Sequence, residues 1–231
     1  ANAMLATKIS FINEIANIAD KLGVDIENIR KGIGADKRIG TEFLYPGCGY
    51  GGSCFPKDIK ALISTSKANK YNAKLLRSVD EVNDAQKEIL SQKISSHFKN
   101  KLSGKTFGVW GLAVKPNTDD VRFAPSINLI DYLLANQAIV NAYDPIASIK
   151  KSLKHKSRNY KEVSTAIKAI KSADGLIICT EWKEFWSLDI KLFLKYMKQP
   201  TIFDGRNIFS PQKMRDSGII YYGIGRGGKT P

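Results

Sequence analysis

Residues 106–112 read TFGVWGL, an apolar run that lies between Lys105 and the polar loop KPNTDDVR at residues 115–122. A short apolar run with such boundaries is typical of a strand that is buried on both faces. Before this run the chain shows only helical patterns and glycine-rich loops. After it, strand patterns alternate with helix patterns up to residue 223. This alternation predicts a parallel sheet with helices on both faces.

The predicted strands and helices of this second part can be placed by residue. The strand patterns cover residues 106–112, 139–143, 175–179, 201–203 and 219–223. The helix patterns cover residues 125–134, 163–170 and 188–196. Ligands of such sheets bind at the carboxyl ends of the strands. The charged residues that directly follow a predicted strand are therefore candidate ligands, namely Lys115, Arg122, Asp144, Glu181 and Arg206.

The first hundred residues have helical patterns. Residues 4–22 carry two apolar stripes, and a helix that is apolar on two sides is buried on two sides, in a core or against a partner subunit. Gly23 suits the end of this helix, and Asp25 suits the start of a short second one. A long helix is predicted from about residue 76 to residue 100. We therefore expect a central helical domain (residues 1–100), joined by a long helix to a Rossmann-like parallel-sheet domain (residues 101–231).

The composition is that of an ordinary globular protein. Of 231 residues, 43% are hydrophobic and 25% are charged, which allows a full core. No apolar run approaches the roughly 20 residues that a bilayer span needs, and no signal peptide is apparent, so we expect a cytoplasmic protein without a membrane partner. Three cysteines and two histidines lack metal-ligand spacing, so we expect neither a metal site nor a disulfide framework.

The formal net charge of +14 suggests a phosphate-bearing partner. Its densest basic stretch comprises Lys150, Lys151, Lys154, Lys156, Arg158 and Lys161. This stretch matches no helix-turn-helix, RNA-recognition or zinc-finger signature. A solvated surface segment accounts for it, so we expect no nucleic-acid partner. A basic nucleic-acid-binding module is the alternative from another functional class.

A glycine-rich stretch precedes a predicted helix: residues 47–58 read GCGYGGSCFPKD. Glycines remove side chains that would block a close ligand, and Pro56 suits the first turn of a helix. Cys54 is therefore expected at a helix N-terminus, where the helix dipole and Lys57 favour the nucleophilic thiolate. A buried, inert cysteine after a glycine turn explains the same residues equally well.

The predicted first strand does not continue into a dinucleotide-binding turn. GVWGLA at residues 108–113 does not match G-x-G-x-x-G, and the polar loop at residues 115–122 replaces the tight phosphate turn. We therefore do not expect a complete NAD site in this part of the chain. A nucleotide phosphate held by Lys115 and Arg206 fits the sequence better.

Residues 49–58, GYGGSCFPKD, resemble the active-site motif of the UDP-glucose/GDP-mannose dehydrogenase family. Tyr50 and the run CFPKD most resemble the UDP-glucose 6-dehydrogenases within it. Four further stretches resemble the family in the same order, namely LATKISFINE at 5–14, DKRIG at 36–40, KPNTDDVR at 115–122 and DGR at 204–206. The resemblance covers nearly the whole chain.

The resemblance implies oxidation of UDP-glucose to UDP-glucuronate with two NAD+, through thiohemiacetal and thioester intermediates on a cysteine. Cys54 would be that nucleophile. Asp58, one helical turn later, would position a hydrolytic water or take a proton. A carboxylate that only stabilises the first turn of a helix is the alternative for Asp58. GDP-mannose or another nucleotide sugar is the alternative substrate.

The resemblance also implies binding residues. On the substrate side these are Arg38, Phe43, Leu44, Tyr45, Tyr50, Gly51, Lys115 and Arg206. Arg38 would reach a substrate bound to the neighbouring subunit of a homodimer that forms through the central helices. Lys115 and Arg206 would hold the uridine and phosphate side. Lys57 and Arg122 would face the NAD cofactor.

The sequence departs from the family at its beginning. Family members begin with a complete NAD-binding domain, and this sequence begins at the helix that follows that domain. Asn2 occupies the place of a catalytic asparagine, whereas the lysine four residues earlier would lie before residue 1. We therefore expect a C-terminal fragment that leaves NAD binding mainly to the missing domain and is inactive alone.

Overall fold

A computed structural model describes residues 1–155 and 157–227. The first part of the chain forms α1 (Asn2–Leu22), α2 (Ile26–Gly34), α3 (Phe55–Ala68), α4 (Lys74–Gln86) and α5 (Ile89–His97). The strands are β1 (Thr106–Trp110), β2 (Ile139–Tyr143), β3 (Tyr160–Glu162), β4 (Gly175–Ile178), β5 (Thr201–Asp204) and β6 (Ile220–Gly223). The helices between the strands are α6 (Pro125–Ala135), α7 (Ala166–Ile170), α8 (Lys183–Trp186), α9 (Ile190–Tyr196) and α10 (Pro211–Asp216).

The strands form one parallel sheet in the order β3-β2-β1-β4-β5-β6. Phe107 of β1 pairs with Val140 of β2 on one side and with Gly175 of β4 on the other. The strand order reverses between β1 and β4, and ligands of doubly wound sheets bind beside such a reversal. Helices together with a parallel sheet confirm the predicted fold class.

The central strand β1 is buried on both faces, as its sequence predicts. Phe107 and Val109 belong to a core that includes residues of α5 and α6. Trp110 belongs to the core on the opposite face, where it stacks on Phe185 at 4.9 Å between ring centroids. Its indole N–H donates to the carbonyl oxygen of Ala166, so this large side chain is satisfied as well as buried.

Helix α1 has one buried and one exposed apolar stripe. Ile12 is fully buried, whereas Phe11 and Ile18 are 47% and 48% exposed on the other side. Gly23 ends the helix in the left-handed conformation (φ 71°), and Asp25 caps α2 by accepting from the backbone N–H of Glu27; both caps were predicted. Among the described residues no helix, α1 included, is long and apolar enough to cross a membrane.

The prediction of one long helix from residue 76 to residue 100 is wrong. The chain turns at Lys87 and Glu88 between α4 and α5, where the N–H of Glu88 bonds to the carbonyl of Ala85 instead of continuing the i−4 pattern. The reason is tertiary packing. Val79 of α4 packs in a small cluster of the helical part, whereas Leu90 of α5 packs in the core of the sheet.

Other boundaries also differ from the prediction. The strand β3 and the helices α8 and α10 were not predicted. The helix predicted over residues 163–170 begins only at Ala166, because the Thr165 side chain accepts from the N–H of Lys168 and caps it there. The strand predicted over residues 106–112 ends at Trp110, because Gly111 has φ 84° and turns the chain away.

Candidate active site

A cavity of about 610 Å³ lies where the glycine loop (residues 47–53) meets the carboxyl ends of β1, β4 and β5. It is also lined by one side of α1. The predicted site residues in its lining are Asn2, Phe43, Tyr45, Tyr50, Gly51, Cys54, Lys115 and Arg206. The fold therefore brings together most of the residues that the sequence singled out, from both parts of the chain.

Cys54 directly precedes the first residue of α3 and is exposed to solvent. Its carbonyl oxygen accepts the N–H of Asp58 at 2.9 Å, and the Ser53 hydroxyl lies 3.6 Å from its Sγ. Pro56 occupies the first turn of α3, as expected from the sequence. The thiol thus stands in the cavity at the positive end of a fourteen-residue helix.

Asp58 lies one helical turn after Cys54, and its carboxylate is held by a residue at the start of α1. Asn2 Nδ2 donates to Asp58 Oδ2 at 2.6 Å, and Lys57 Nζ lies 3.8 Å from the other carboxylate oxygen. Asn2 itself lines the cavity. A carboxylate and a carboxamide are therefore paired at the start of the helix that Cys54 precedes, an arrangement that can hold a water molecule or a proton.

Arg206 follows β5 and points its guanidinium into the cavity region. Its Nε donates to the carbonyl oxygen of Cys179 at 2.8 Å and lies 3.3 Å from Glu181 Oε2. The side chain is only 17% exposed. Burial opposes the charge, yet the neighbouring Cys48 and Glu181 hold the pKa of Arg206 above its usual value. A fixed guanidinium of this kind suits phosphate oxygens.

Two buried cysteines lie behind Arg206. The Cys48 thiol lies 3.8 Å from the carbonyl oxygen of Cys179. A hydrogen bond from Cys179 lowers the pKa of Cys48 to about 7, although burial opposes this, and the same bond together with burial raises the pKa of Cys179. Because both are buried, Cys54 is the accessible thiol.

The loop after β1 brings further charge to the rim. Lys115 lines the cavity, and the N–H of the preceding Val114 donates to the carbonyl oxygen of Asp120. Arg122 donates to both carboxylate oxygens of Asp120 at 2.9 and 3.0 Å, and these bonds raise the pKa of Arg122. The backbone carbonyl of Arg122 accepts the N–H of Gly52, two residues before Cys54, so this loop lies against the glycine loop. Arg122 and Lys57 remain exposed at this rim.

The glycine loop is pressed against this β1 loop. The N–H of Gly52 donates to the carbonyl oxygen of Arg122 at 2.7 Å. A Cβ on Gly51 would lie 2.3 Å from the carbonyl oxygen of Phe123, so only glycine fits there. Tyr50 lines the cavity, but its phenol is buried among the helices, where burial and the charge of Asp80 raise its pKa to about 12.

Five of the predicted site residues lie outside the cavity lining, namely Arg38, Leu44, Lys57, Asp58 and Arg122, and so does the basic stretch. Arg38 is 89% exposed and paired with Asp36 on the surface. The Leu44 side chain is buried in the core. In the basic stretch, Lys151, Lys154 and Lys161 are exposed and away from the cavity, and Lys156 lies outside the described residues.

The sequence also matches two domain models of one known protein family. Residues 1–85 match the model of the UDP-glucose/GDP-mannose dehydrogenase family, central domain, and residues 108–211 match the UDP binding domain of the same family. The chain belongs to this family. The resemblance seen in its motifs is thereby confirmed.

Members of the dehydrogenase family from bacteria are similar over the whole chain. A UDP-glucose 6-dehydrogenase of Pseudomonas aeruginosa is 44% identical over 235 residues, which cover 98% of this chain and 51% of that protein. The UDP-glucose 6-dehydrogenase YwqF of Bacillus subtilis is 44% identical over 232 residues, covering 100% of this chain and 52% of that protein. The chain therefore spans about half the length of these relatives.

Solved structures of the family have the same fold. A UDP-glucose dehydrogenase from Pyrobaculum islandicum superposes with a TM-score of 0.83 at 33% identity, covering 97% of this chain and 49% of that one. A UDP-D-ManNAc dehydrogenase from Pyrococcus horikoshii gives a TM-score of 0.80 at 28% identity, covering 98% of this chain and 50% of that one.

Several polar residues of the cavity lining were not among the predicted site residues. Asn13, Thr118 and Asp120 line the cavity, and Glu181 was noted only as a residue after a strand. Thr118 and Asp120 lie in a loop already marked as a ligand region, so the loop as a whole was the available signal. Asn13 offered a weaker signal, a polar residue beside the buried stripe of α1.

Proposed function

We propose that this chain carries the catalytic cysteine and the UDP-sugar half-site of an NAD-dependent UDP-glucose 6-dehydrogenase, which oxidises UDP-glucose to UDP-glucuronate. One observation carries the proposal: Cys54, the Asn2–Asp58 pair and the cations Lys115 and Arg206 meet at one cavity. The match to a UDP binding domain and the names of the relatives support this substrate.

We further propose two domains, residues 1–100 and residues 101–231, with the NAD-binding domain outside this chain. The two family matches, which end at residue 85 and begin at residue 108, support a boundary in this region. The coverage of about half of each relative supports a further domain elsewhere in the whole enzyme.

In this proposal Arg206 and Lys115 hold the diphosphate and the uridine side. Arg206 is suited to this role because Glu181 and the carbonyl of Cys179 orient its guanidinium before the ligand arrives. The sugar would lie towards the glycine loop, with Tyr50 and Gly51 around it. Phe43, Leu44 and Tyr45 would run along the substrate and contact it mainly through their backbone.

NAD+, when bound, supplies the hydride acceptor. The long loop between β1 and α6 does not fit a dinucleotide phosphate turn, so this chain offers NAD only a rim. Lys57 and Arg122 fit such a rim because both are exposed cations. Lys57 lies in the first turn of α3, which begins directly after Cys54, and the Arg122 backbone is bonded to Gly52 of the glycine loop. They would meet the cofactor from this side of the cleft.

The residues around Cys54 suit the carbon–sulfur chemistry. After the first oxidation converts the C6 alcohol to an aldehyde, Cys54 Sγ would bond to C6 and form a thiohemiacetal. Loss of the remaining C6 hydrogen as a hydride, for which a second NAD+ would be the acceptor, and of the hydroxyl proton would give a thioester. A water held by Asp58 and Asn2 would then attack C6 and give up a proton. The carbon–sulfur bond breaks, the carboxylate is released and the thiol is restored.

The second apolar stripe of α1 supports a homodimer. Phe11 and Ile18 are about half exposed, which is costly for large apolar side chains unless a partner covers them. Arg38, far more exposed and outside the cavity lining, would then reach the cavity of the partner subunit. This assignment accounts for its absence from the cavity of its own chain.

Calorimetry with UDP, UDP-glucuronate and GDP tests the proposal on the chain as it is. We expect UDP and UDP-glucuronate to bind at least about tenfold more tightly than GDP, a difference of about 1.4 kcal/mol. Arg206→Lys should weaken both uridine ligands, whereas Arg215→Lys, on a surface helix remote from this cavity, should not. Tighter binding of GDP would contradict the uridine assignment. Steady NADH production from UDP-glucose by this chain alone would contradict the proposed missing domain.

A further inference from the structure

A buried side chain of α4 holds the middle of the glycine loop. Asn83 is 2% exposed, its Oδ1 accepts the backbone N–H of Tyr50 at 2.8 Å, and its Nδ2 donates to the carbonyl oxygen of Tyr50 at 3.2 Å. One carboxamide thus satisfies both polar groups of one loop residue. In a sheet, a neighbouring strand satisfies both groups; here the Asn83 side chain does so.

A second set of buried amides holds the start of the loop. The N–H of Gly47 donates to Asn13 Oδ1 at 2.8 Å, and Gln86 Nε2 donates to the carbonyl oxygen of Gly47 at 2.7 Å. Asn17 Nδ2 in turn donates to Gln86 Oε1 at 2.8 Å. Because Asn83 and Gln86 are three residues apart on α4, both amides face the loop from one helix.

The loop needs such external bonds because its own sequence fixes little. Gly49 and Gly52 have φ of 96° and 84°, a region open mainly to glycine. Glycine also loses more backbone freedom than any other residue when it is fixed in one conformation. The bond of Gly52 to Arg122 restrains the far end of the loop. The Asn83 clamp lies between this bond and Gly47, immediately before the residues that lead to Cys54.

We propose that Asn83 is a positioning residue that acts through the Tyr50 peptide and holds Gly51 to Cys54 in the conformation that the sugar of the substrate requires. The inference rests on the proposed function, in which this end of the cavity takes the sugar. A loop released from Asn83 would have to be ordered by the ligand itself, and ordering a mobile segment weakens binding. The uridine and phosphate contacts at Lys115 and Arg206 do not depend on this clamp.

The test compares UDP with UDP-glucuronate on the same chain by calorimetry. For Asn83→Ala we expect about tenfold weaker binding of UDP-glucuronate and less than about twofold weaker binding of UDP, since only the sugar needs the clamped loop. A purely structural role would weaken both ligands equally. The matched control is Asn207→Ala, because Asn207 pairs with the N–H and the carbonyl of Ile224, both at 2.8 Å, in the same two-bond manner. This control should leave the ratio of the two affinities unchanged.

The outcomes separate the two proposals. A wild-type chain that binds neither ligand contradicts the proposed function. A wild-type chain that binds both, with an Asn83→Ala variant that keeps the same affinity ratio, overturns the positioning role alone. If near-ultraviolet circular dichroism shows that Asn83→Ala does not fold, Asn83→Asp replaces it. That variant keeps the acceptor for the Tyr50 N–H and loses the donor to the Tyr50 carbonyl, so it is expected to lower the ratio as well.

Discussion

Asn2 donates a hydrogen bond of 2.6 Å to Asp58, and so joins the first turn of α1 to the first turn of α3 beside the Cys54 thiol. The two residues are 56 positions apart in the sequence. Their contact orients a carboxylate at the start of the helix that Cys54 precedes. It supports the role proposed for Asp58, which goes beyond stabilising the start of a helix.

In the whole enzyme, Asp58→Asn should slow turnover by about 100-fold, because general base assistance to thioester hydrolysis typically contributes a factor of this order. The first hydride transfers do not need this base, so a burst of NADH should precede the slow phase in stopped-flow absorbance. Asp84→Asn is the matched control, since Asp84 is a solvent-facing carboxylate paired with Lys87 on α4. Unchanged turnover in Asp58→Asn would exclude the proposed role.

Alkylation should distinguish the three cysteines of the folded chain. Iodoacetamide should modify Cys54 at least ~10-fold faster than Cys48 or Cys179, because thiolate reactivity requires access and the latter two are buried. Peptide mass spectrometry of a time course measures the three rates. UDP-glucuronate should protect Cys54, since the proposed substrate site and Cys54 share one cavity. Equal labelling of all three thiols in the folded chain would argue against Cys54 as the accessible nucleophile.

The sequence predicted the centre of the sheet better than its edge. Strand β2 was predicted with its observed bounds, because five residues with an apolar pattern lie between clear turn residues. Strand β3 was missed because it has only three residues and lies at the sheet edge. None of its residues is fully buried, so its sequence shows no clear apolar pattern. The break between α4 and α5 could not be predicted either. Residues 76–100 contain no glycine or proline, and the break follows from packing against two different cores.

The candidate site was likewise predicted only in part. The positions of Lys115 and Arg206 after strands were enough to predict a shared phosphate site, and the family resemblance added Cys54 to the same site. Asn83 and Gln86 were not predictable, because polar residues on a helix look solvated in a sequence. Their partners are backbone groups of a loop more than thirty residues away, which only the folded chain brings near.

The close packing of the glycine loop against the loop after β1 leads to a prediction about stability. Gly51→Ala should destabilise the chain by about 1–3 kcal/mol, the usual cost of overpacking, because its Cβ would lie 2.3 Å from the carbonyl oxygen of Phe123. Gly32→Ala is the matched control. It lies within α2 with no atom near its Cβ, so it should stabilise the chain by about 0.5–1 kcal/mol. Urea unfolding measures both, and the same sign for the two variants would contradict the loop packing.

His97 should make stability depend on pH. Burial, with a smaller contribution from Lys105, lowers the pKa of His97, whose Nδ1 lies 2.9 Å from the Tyr222 hydroxyl. The unfolded chain therefore binds this proton at a higher pH than the folded chain does. The stability that the neutral ring provides is complete well above pH 6.5, the usual pKa of histidine, and is lost as pH falls towards the folded pKa. Between pH 7.5 and 5.5, wild type should lose more unfolding free energy than His97→Gln in urea titrations. An equal loss would rule out His97 as the source.

The exposed stripe of α1 leads to a test of assembly. Replacing Phe11 and Ile18 by glutamate should convert the proposed dimer to monomers in sedimentation velocity, because charges in an apolar interface are strongly unfavourable. Trp186→Glu is the matched control, since Trp186 is 58% exposed on α8 in the sheet part and should leave the dimer intact. The double variant should stay folded by circular dichroism, because neither side chain belongs to the buried core. A folded double variant that remains dimeric would show that subunits associate through another surface, and Arg38 would then need a different partner.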